Sequence, residues 1–125
     1  MEKIKRLPDS ELEVMLIIWR HSEAIHTGEI LQILNAKKQS NLQTVQSTLN
    51  RLLNKGFVHC DKVGRLNYYT PLIDENKYRD QETETFIERM YHNSPAKLIT
   101  ALLSKQGMSE DEIEEIRQML EKGGE

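Results

Sequence analysis

The chain holds 125 residues, 38% hydrophobic and 30% charged, with a net charge of −3. That length predicts one domain, or one small domain with an appendage. No apolar run approaches the ~20 residues a membrane span needs, residues 1–6 lack the apolar core of a signal peptide, and the lone Cys60 excludes an intrachain disulfide and suits a reducing cytoplasm. The charge divides unevenly. Residues 1–73 carry ten Lys/Arg against seven Asp/Glu, a balance of +3, and residues 74–125 carry seven against thirteen, a balance of −6. A mildly basic front and an acidic back suggest two tasks.

Pro8-Asp9 opens a first helix that runs to about residue 21. Leu12, Met15, Leu16 and Trp19 form its stripe, and Val14, Ile17 and Ile18 broaden it. A helix this apolar packs on more than one side. Ile25-His26 reads as a short strand, and Thr27 as the cap of a second helix with Ile30, Leu31 and Leu34 facing inward. Residues 36–40 form a polar link.

The stretch 41–56 is the most informative of the chain. Val45, Leu49 and Leu52 lie at i, i+4 and i+7, Leu53 widens the stripe, Asn41 caps the start, and Gly56 supplies the stop. The opposite side carries Gln43, Thr44, Gln46, Ser47, Asn50 and Arg51. An ordinary solvated face would more often carry Glu and Lys. Uncharged amides and hydroxyls can read base edges in a major groove, with cations further along for phosphates. Gln43, Thr44, Gln46 and Ser47 are therefore the candidate base readers. Asn41, Asn50, Arg51, Lys62 and Arg65 are the candidate backbone contacts.

Residues 57–63 and 66–71 are rich in β-formers and flank Gly64-Arg65, a hairpin signal, with Pro71 ending the second run. One of Tyr68 and Tyr69 should face the core and the other outward. A polar-faced helix followed at once by a hairpin with a basic tip is the winged-helix layout. Residues 1–73 are thus expected to form a winged helix-turn-helix DNA-binding domain.

Asp74 can cap a fourth helix to about residue 91, almost wholly polar at first, with Phe86, Ile87 and Met90 in its second half. Ser94-Pro95 reads as a cap followed by Pro at the first helical position. The fifth helix turns Leu98, Ile99, Leu102 and Leu103 inward, and Gly107 ends it. Ser109 to Glu112 is a capping box, followed by the stripe Ile113, Ile116 and Leu120. These 52 residues have thin apolar stripes and rarely bury enough surface to fold alone. The tail either docks on the front domain or pairs with its copy in a second chain, and the dimer is favoured. Symmetric dimers are the usual partners of paired half-sites in DNA. The expectation is a mainly α chain with a three-helix dimerisation tail over residues 74–125.

Catalysis has no carrier here. His21, His26, His59 and His92 are scattered with no i, i+4 pair, and adjacent His59 and Cys60 point to opposite faces of a strand. No Gly-rich phosphate loop, nucleophile elbow or metalloprotease motif occurs. No metal or cofactor is expected. A different reading remains open, a winged-helix protein–protein interaction module whose polar face meets an acidic protein surface.

Several of these segments together resemble a known family. Asp9 to Met15 with Ile18-Trp19, Thr44-Val45-Gln46 through Leu49-Asn50-Arg51-Leu52, Lys55-Gly56, Gly64-Arg65 and Tyr69-Thr70-Pro71 are similar to the bacterial penicillinase repressor family. That family includes the repressors of β-lactamase and of the methicillin-resistance operon, and a copper-responsive branch. The resemblance implies a repressor that occupies a double-stranded operator as a homodimer. Its helix contacts would fall on Gln43, Thr44, Ser47 and Arg51, and its wing contact on Arg65. It also implies, for the β-lactam branch, a regulatory protease that relieves repression by cutting the tail. This chain departs from that branch in two places. Asn41-Leu42-Gln43-Thr44 stands where Ser-Pro-Lys-Thr is favoured, and Ala101-Leu102 stands where the scissile Asn-Phe pair aligns. The tail has none of the cysteines of the copper branch.

Overall fold

A computed structural model describes residues 3–105 and 107–123. In chain order it gives α1 (Asp9–Arg20), β1 (Ile25–His26), α2 (Thr27–Asn35), α3 (Leu42–Asn54), β2 (Val58–Val63), β3 (Leu66–Pro71), α4 (Glu75–Tyr91), α5 (Pro95–Lys105) and α6 (Glu110–Glu121). The strands form one antiparallel sheet in the order β1-β3-β2. Val63 pairs with Leu66, so Gly64 and Arg65 form a two-residue turn, and Gly64 takes the left-handed φ of 64° that it accommodates without a Cβ clash.

Local chemistry explains the helix starts. Asn41 Oδ1 accepts the Thr44 backbone N–H at 2.8 Å and caps α3. For α2 the cap is His26, not Thr27. His26 Nδ1 accepts the N–H groups of Gly28 and Glu29, and Glu29 returns a bond to the His26 backbone N–H. The cap must be the last extended residue before the helix, and β1 still holds His26 extended. Ser109 and Glu112 form the expected capping box at α6.

The core gathers one side of each front element. Met15 and Ile18 of α1, Ile30 of α2, Leu49 and Leu52 of α3, and Phe57 ahead of β2 are fully enclosed. On α1 the buried positions are Glu11, Val14, Met15 and Ile18, while Leu12, Leu16 and Trp19 are only half-buried. The helix is thus turned by one residue from the stripe expected from sequence. Two overlapping i, i+3, i+4, i+7 stripes exist on α1, and the one chosen carries a carboxylate.

The front unit reaches further than residue 73. Tyr78 of α4 is 3% exposed, its hydroxyl accepts the Leu7 backbone N–H at 2.8 Å, and its ring packs 5.5 Å from Trp19 and 5.9 Å from Phe57. Burial pushes its hydroxyl pKa up from the ordinary 10.0, against the lowering pull of the Leu7 bond. One turn on, the Gln81 side chain exchanges hydrogen bonds with the backbone of Ile4. The chain accordingly divides into a unit ending at Glu82 and a second starting at Thr83, against the division at 73/74 expected from sequence. An aromatic anchor inside an otherwise polar stretch moves the boundary into the middle of α4.

In the second unit none of the described residues is buried. α4 ends on His92 and Asn93, both left-handed, with the Asn93 N–H bonded to the Ile87 carbonyl. Among the described residues no helix is long and apolar enough to cross a membrane.

Candidate nucleic-acid interface

The third helix is held by its apolar side and displays its polar side. Val45, Thr48, Leu49 and Leu52 are buried, and Gln43, Thr44, Ser47, Asn50 and Arg51 are exposed. The side chains of Gln43, Thr44 and Ser47 make no hydrogen bond or ion pair among the described residues. Their donors and acceptors stand free.

The other members of the face are tied down to different degrees. Asn41 is occupied as the cap. Gln46 is half-buried, and its Nε2 donates to Asn50 Oδ1 at 3.1 Å and to the Tyr69 hydroxyl at 3.2 Å. The Tyr69 hydroxyl is itself inside the fold. Burial raises its pKa, and the Gln46 hydrogen bond works against that rise.

Arg51 is anchored through its Nε and one terminal nitrogen. Its Nε donates to Glu11 Oε2 at 3.2 Å and a terminal nitrogen donates to Thr48 Oγ1 at 3.3 Å, while half of its side chain stays exposed. Glu11, with its side chain 4% exposed, also takes Lys55 Nζ. A buried carboxylate on α1 thus joins Arg51 of α3 to Lys55 at the C-cap of that helix, one turn further on. Burying that charge without partners would cost far more than the pairing returns. Glu11 and Thr48 are not among the candidates expected from sequence. The signal was present, because Glu11 opens the stripe 11, 14, 15, 18 and Arg51 and Lys55 have i, i+4 spacing.

At the wing, Lys62 and Arg65 are exposed and make no hydrogen bond or ion pair among the described residues. Tyr69 is the core residue of the tyrosine pair, and Tyr68 packs edge-on against His26 at 5.5 Å. At the front of the chain Arg6 pairs with Glu82 at 3.4 Å, which holds this cation on the α4 side. Among the described residues no group of three or more His, Cys, Asp or Glu could hold a metal ion.

The proposed dimerisation residues lie on the second unit as an uncovered apolar surface. Phe86, Met90, Ile99, Leu102, Leu103, Ile113 and Leu120 are exposed, Met90 by 62% and Leu120 by 69%. Ile87, Leu98 and Ile116 are half-buried.

Comparison with known proteins agrees with this geometry. The family model described as Penicillinase repressor matches residues 7–122. A penicillinase repressor of Bacillus licheniformis is 37% identical over 121 residues, covering 97% of this chain and 94% of that protein. The methicillin resistance regulatory protein MecI of Staphylococcus aureus (strain N315) is 29% identical over 120 residues, covering 96% and 97%. Among solved structures, the DNA-binding domain of the repressor BlaI matches with a TM-score of 0.54 and 44% identity, over 62% of this chain and 94% of that one. The Bacillus licheniformis BlaI monomeric form in complex with the blaP half-operator matches with a TM-score of 0.52 at the same identity and coverage. The front unit is a winged helix-turn-helix, and the chain belongs to the penicillinase repressor family, a family of transcriptional repressors and not of enzymes.

Proposed function

We propose that this protein represses transcription in the bacterial cytoplasm by occupying a palindromic DNA operator as a homodimer. The observation that carries the reading is the trio Gln43, Thr44 and Ser47, exposed and uncharged on α3 and making no side-chain hydrogen bond among the described residues. Gln43, Thr44 and Ser47 are the base readers, with Gln46 as a constrained fourth. Arg51, Lys62 and Arg65 meet phosphates, and Asn41 and Asn50 line the same approach. The likeness to a BlaI form in complex with a half-operator supports this placement. Because Gln43 stands where the β-lactam repressors favour a cation, the operator is expected to differ from theirs.

The apolar surface of the second unit supports the dimer. An exposed stripe of this kind is unfavourable in water and marks a surface that another surface covers. Two tethered half-site readers gain from effective concentration. Release by a regulatory protease fits the same scheme. Ala101-Leu102 lies within α5, so a cut there would divide the apolar stripe. A protease that reads an Asn-Phe bond is expected to cut this bond poorly.

The test is binding to duplex DNA enriched from a random pool, followed across a salt series. The reading requires sequence preference and a steep fall of affinity with salt, about 0.9 in log–log slope per neutralised phosphate. Binding without sequence preference would overturn it and favour the protein-interaction module.

A further inference from the structure

Gln46 is controlled from inside the fold by a residue that cannot itself reach DNA. An amide nitrogen carries two hydrogens. On Gln46 one goes to Asn50 Oδ1 at 3.1 Å and the other to the Tyr69 hydroxyl at 3.2 Å. Thr27 Oγ1 stands 3.5 Å from Gln46 Oε1, a contact at the outer limit of a hydrogen bond. Tyr69 is 1% exposed and sits in β3, the central strand, paired on both sides. The sheet therefore fixes the hydroxyl, and the hydroxyl fixes an amide on the neighbouring helix.

This has a chemical consequence. With both hydrogens engaged and Thr27 Oγ1 donating to one lone pair of Oε1, the second lone pair of the carbonyl is the bonding capacity Gln46 has left, and a carbonyl only accepts. The bidentate pairing of a free Gln with adenine needs a donor as well. A lone acceptor in the major groove finds a donor on the exocyclic amino group of adenine or cytosine. It meets only acceptors on guanine, and an acceptor and a methyl group on thymine.

We propose that Tyr69 is a specificity-positioning residue: acting through Gln46, it presents a single acceptor that selects adenine or cytosine over guanine or thymine at one position of each half-site. This rests on α3 being the recognition helix. Tyr69 touches no base, so its influence is separable from the direct contacts of Gln43 and Thr44.

The experiment enriches duplex DNA from a random pool with the full chain and measures the base preference at each position by competition. Tyr69→Phe keeps the ring and removes the hydroxyl. It should relax the preference at one position by about three- to tenfold, the worth of one hydrogen bond, and leave the other positions alone. Gln46→Ala should relax the same position, and the double variant no further than Gln46→Ala alone. Asn50→Ala, at an exposed site, frees the other hydrogen and should relax that position too. The inference is overturned if Tyr69→Phe alters no single position, whatever Gln46→Ala does. It is also overturned if the affected position favours guanine or thymine, or if Tyr69→Phe lowers all positions evenly along with the melting temperature. A wild type that enriches no sequence overturns the operator reading itself. One that enriches a sequence the variants leave untouched overturns only this inference.

Discussion

The two units of this chain solve opposite problems. Up to Glu82 every helix and strand closes on a shared core, and outside on α3 the side chains of Gln43, Thr44 and Ser47 are polar and make no hydrogen bond among the described residues. From Thr83 onward α6 is well capped, yet none of the described residues is buried and most of the large apolar side chains are exposed. The first unit is complete as a fold and incomplete as a set of hydrogen bonds. The second forms its helices and is incomplete in its burial. The first deficit suits a ligand rich in donors and acceptors, and the second suits another apolar surface.

The largest effect should come from spoiling that apolar surface. Leu102→Asp should prevent self-association and lower operator affinity by about 10²–10⁴-fold through lost avidity, with the melting of the first unit unchanged. Sedimentation and DNA titration of the same sample check both halves of the statement. A variant that stays dimeric places the contact elsewhere.

The first unit should break at its aromatic anchor. Tyr78→Ala should cost about 3–5 kcal/mol, as for other buried aromatic truncations, measured by urea unfolding. A fragment ending at residue 73 should be similarly weakened, while one ending at residue 82 should fold. Equal stability of the two fragments would return the boundary to 73/74. Because burial raises the Tyr78 hydroxyl pKa, its contribution is fully present below the ordinary value of 10.0 and is lost as pH rises through the raised value. Tyr78→Phe should reduce this alkaline loss in a pH series of unfolding curves.

These variants also show where the sequence was readable. The hairpin, the Asn41 cap, the Ser109 capping box and the polar face of α3 are local signals, and each depends on residues within a few positions of one another. The burial of Glu11 and the anchoring of Tyr78 depend on partners far along the chain, Arg51 and Lys55 in one case and Leu7 and Phe57 in the other. Periodicity could not choose between the two stripes of α1, because both are apolar at three of four positions or better. Thr27 looked like a cap because hydroxyls usually fill that role, and the competing acceptor was an imidazole. Within the candidate site, residue type suggested that Gln46 belongs to the reading face. Only the tertiary arrangement places a buried tyrosine hydroxyl beneath it.

Smaller effects sharpen the division of labour on the first unit. Gln43→Ala and Thr44→Ala should each reduce the preference for operator over random DNA by about 1–3 kcal/mol, and Arg65→Ala should weaken both alike and lower the salt slope by about 1. Competition titrations at several salt concentrations separate these outcomes. An unchanged preference in both base-reader variants would mean that α3 is not the reading helix.

The most direct test of the central claim is the mass of the complex formed on a duplex carrying two half-sites, measured by sedimentation for the full chain and for a fragment ending at residue 82. The account predicts two full-length chains bound together with no stable one-chain species, and fragments that bind the half-sites independently and more weakly. A full-length chain that binds singly, or a fragment that matches it in affinity and cooperativity, would contradict the account.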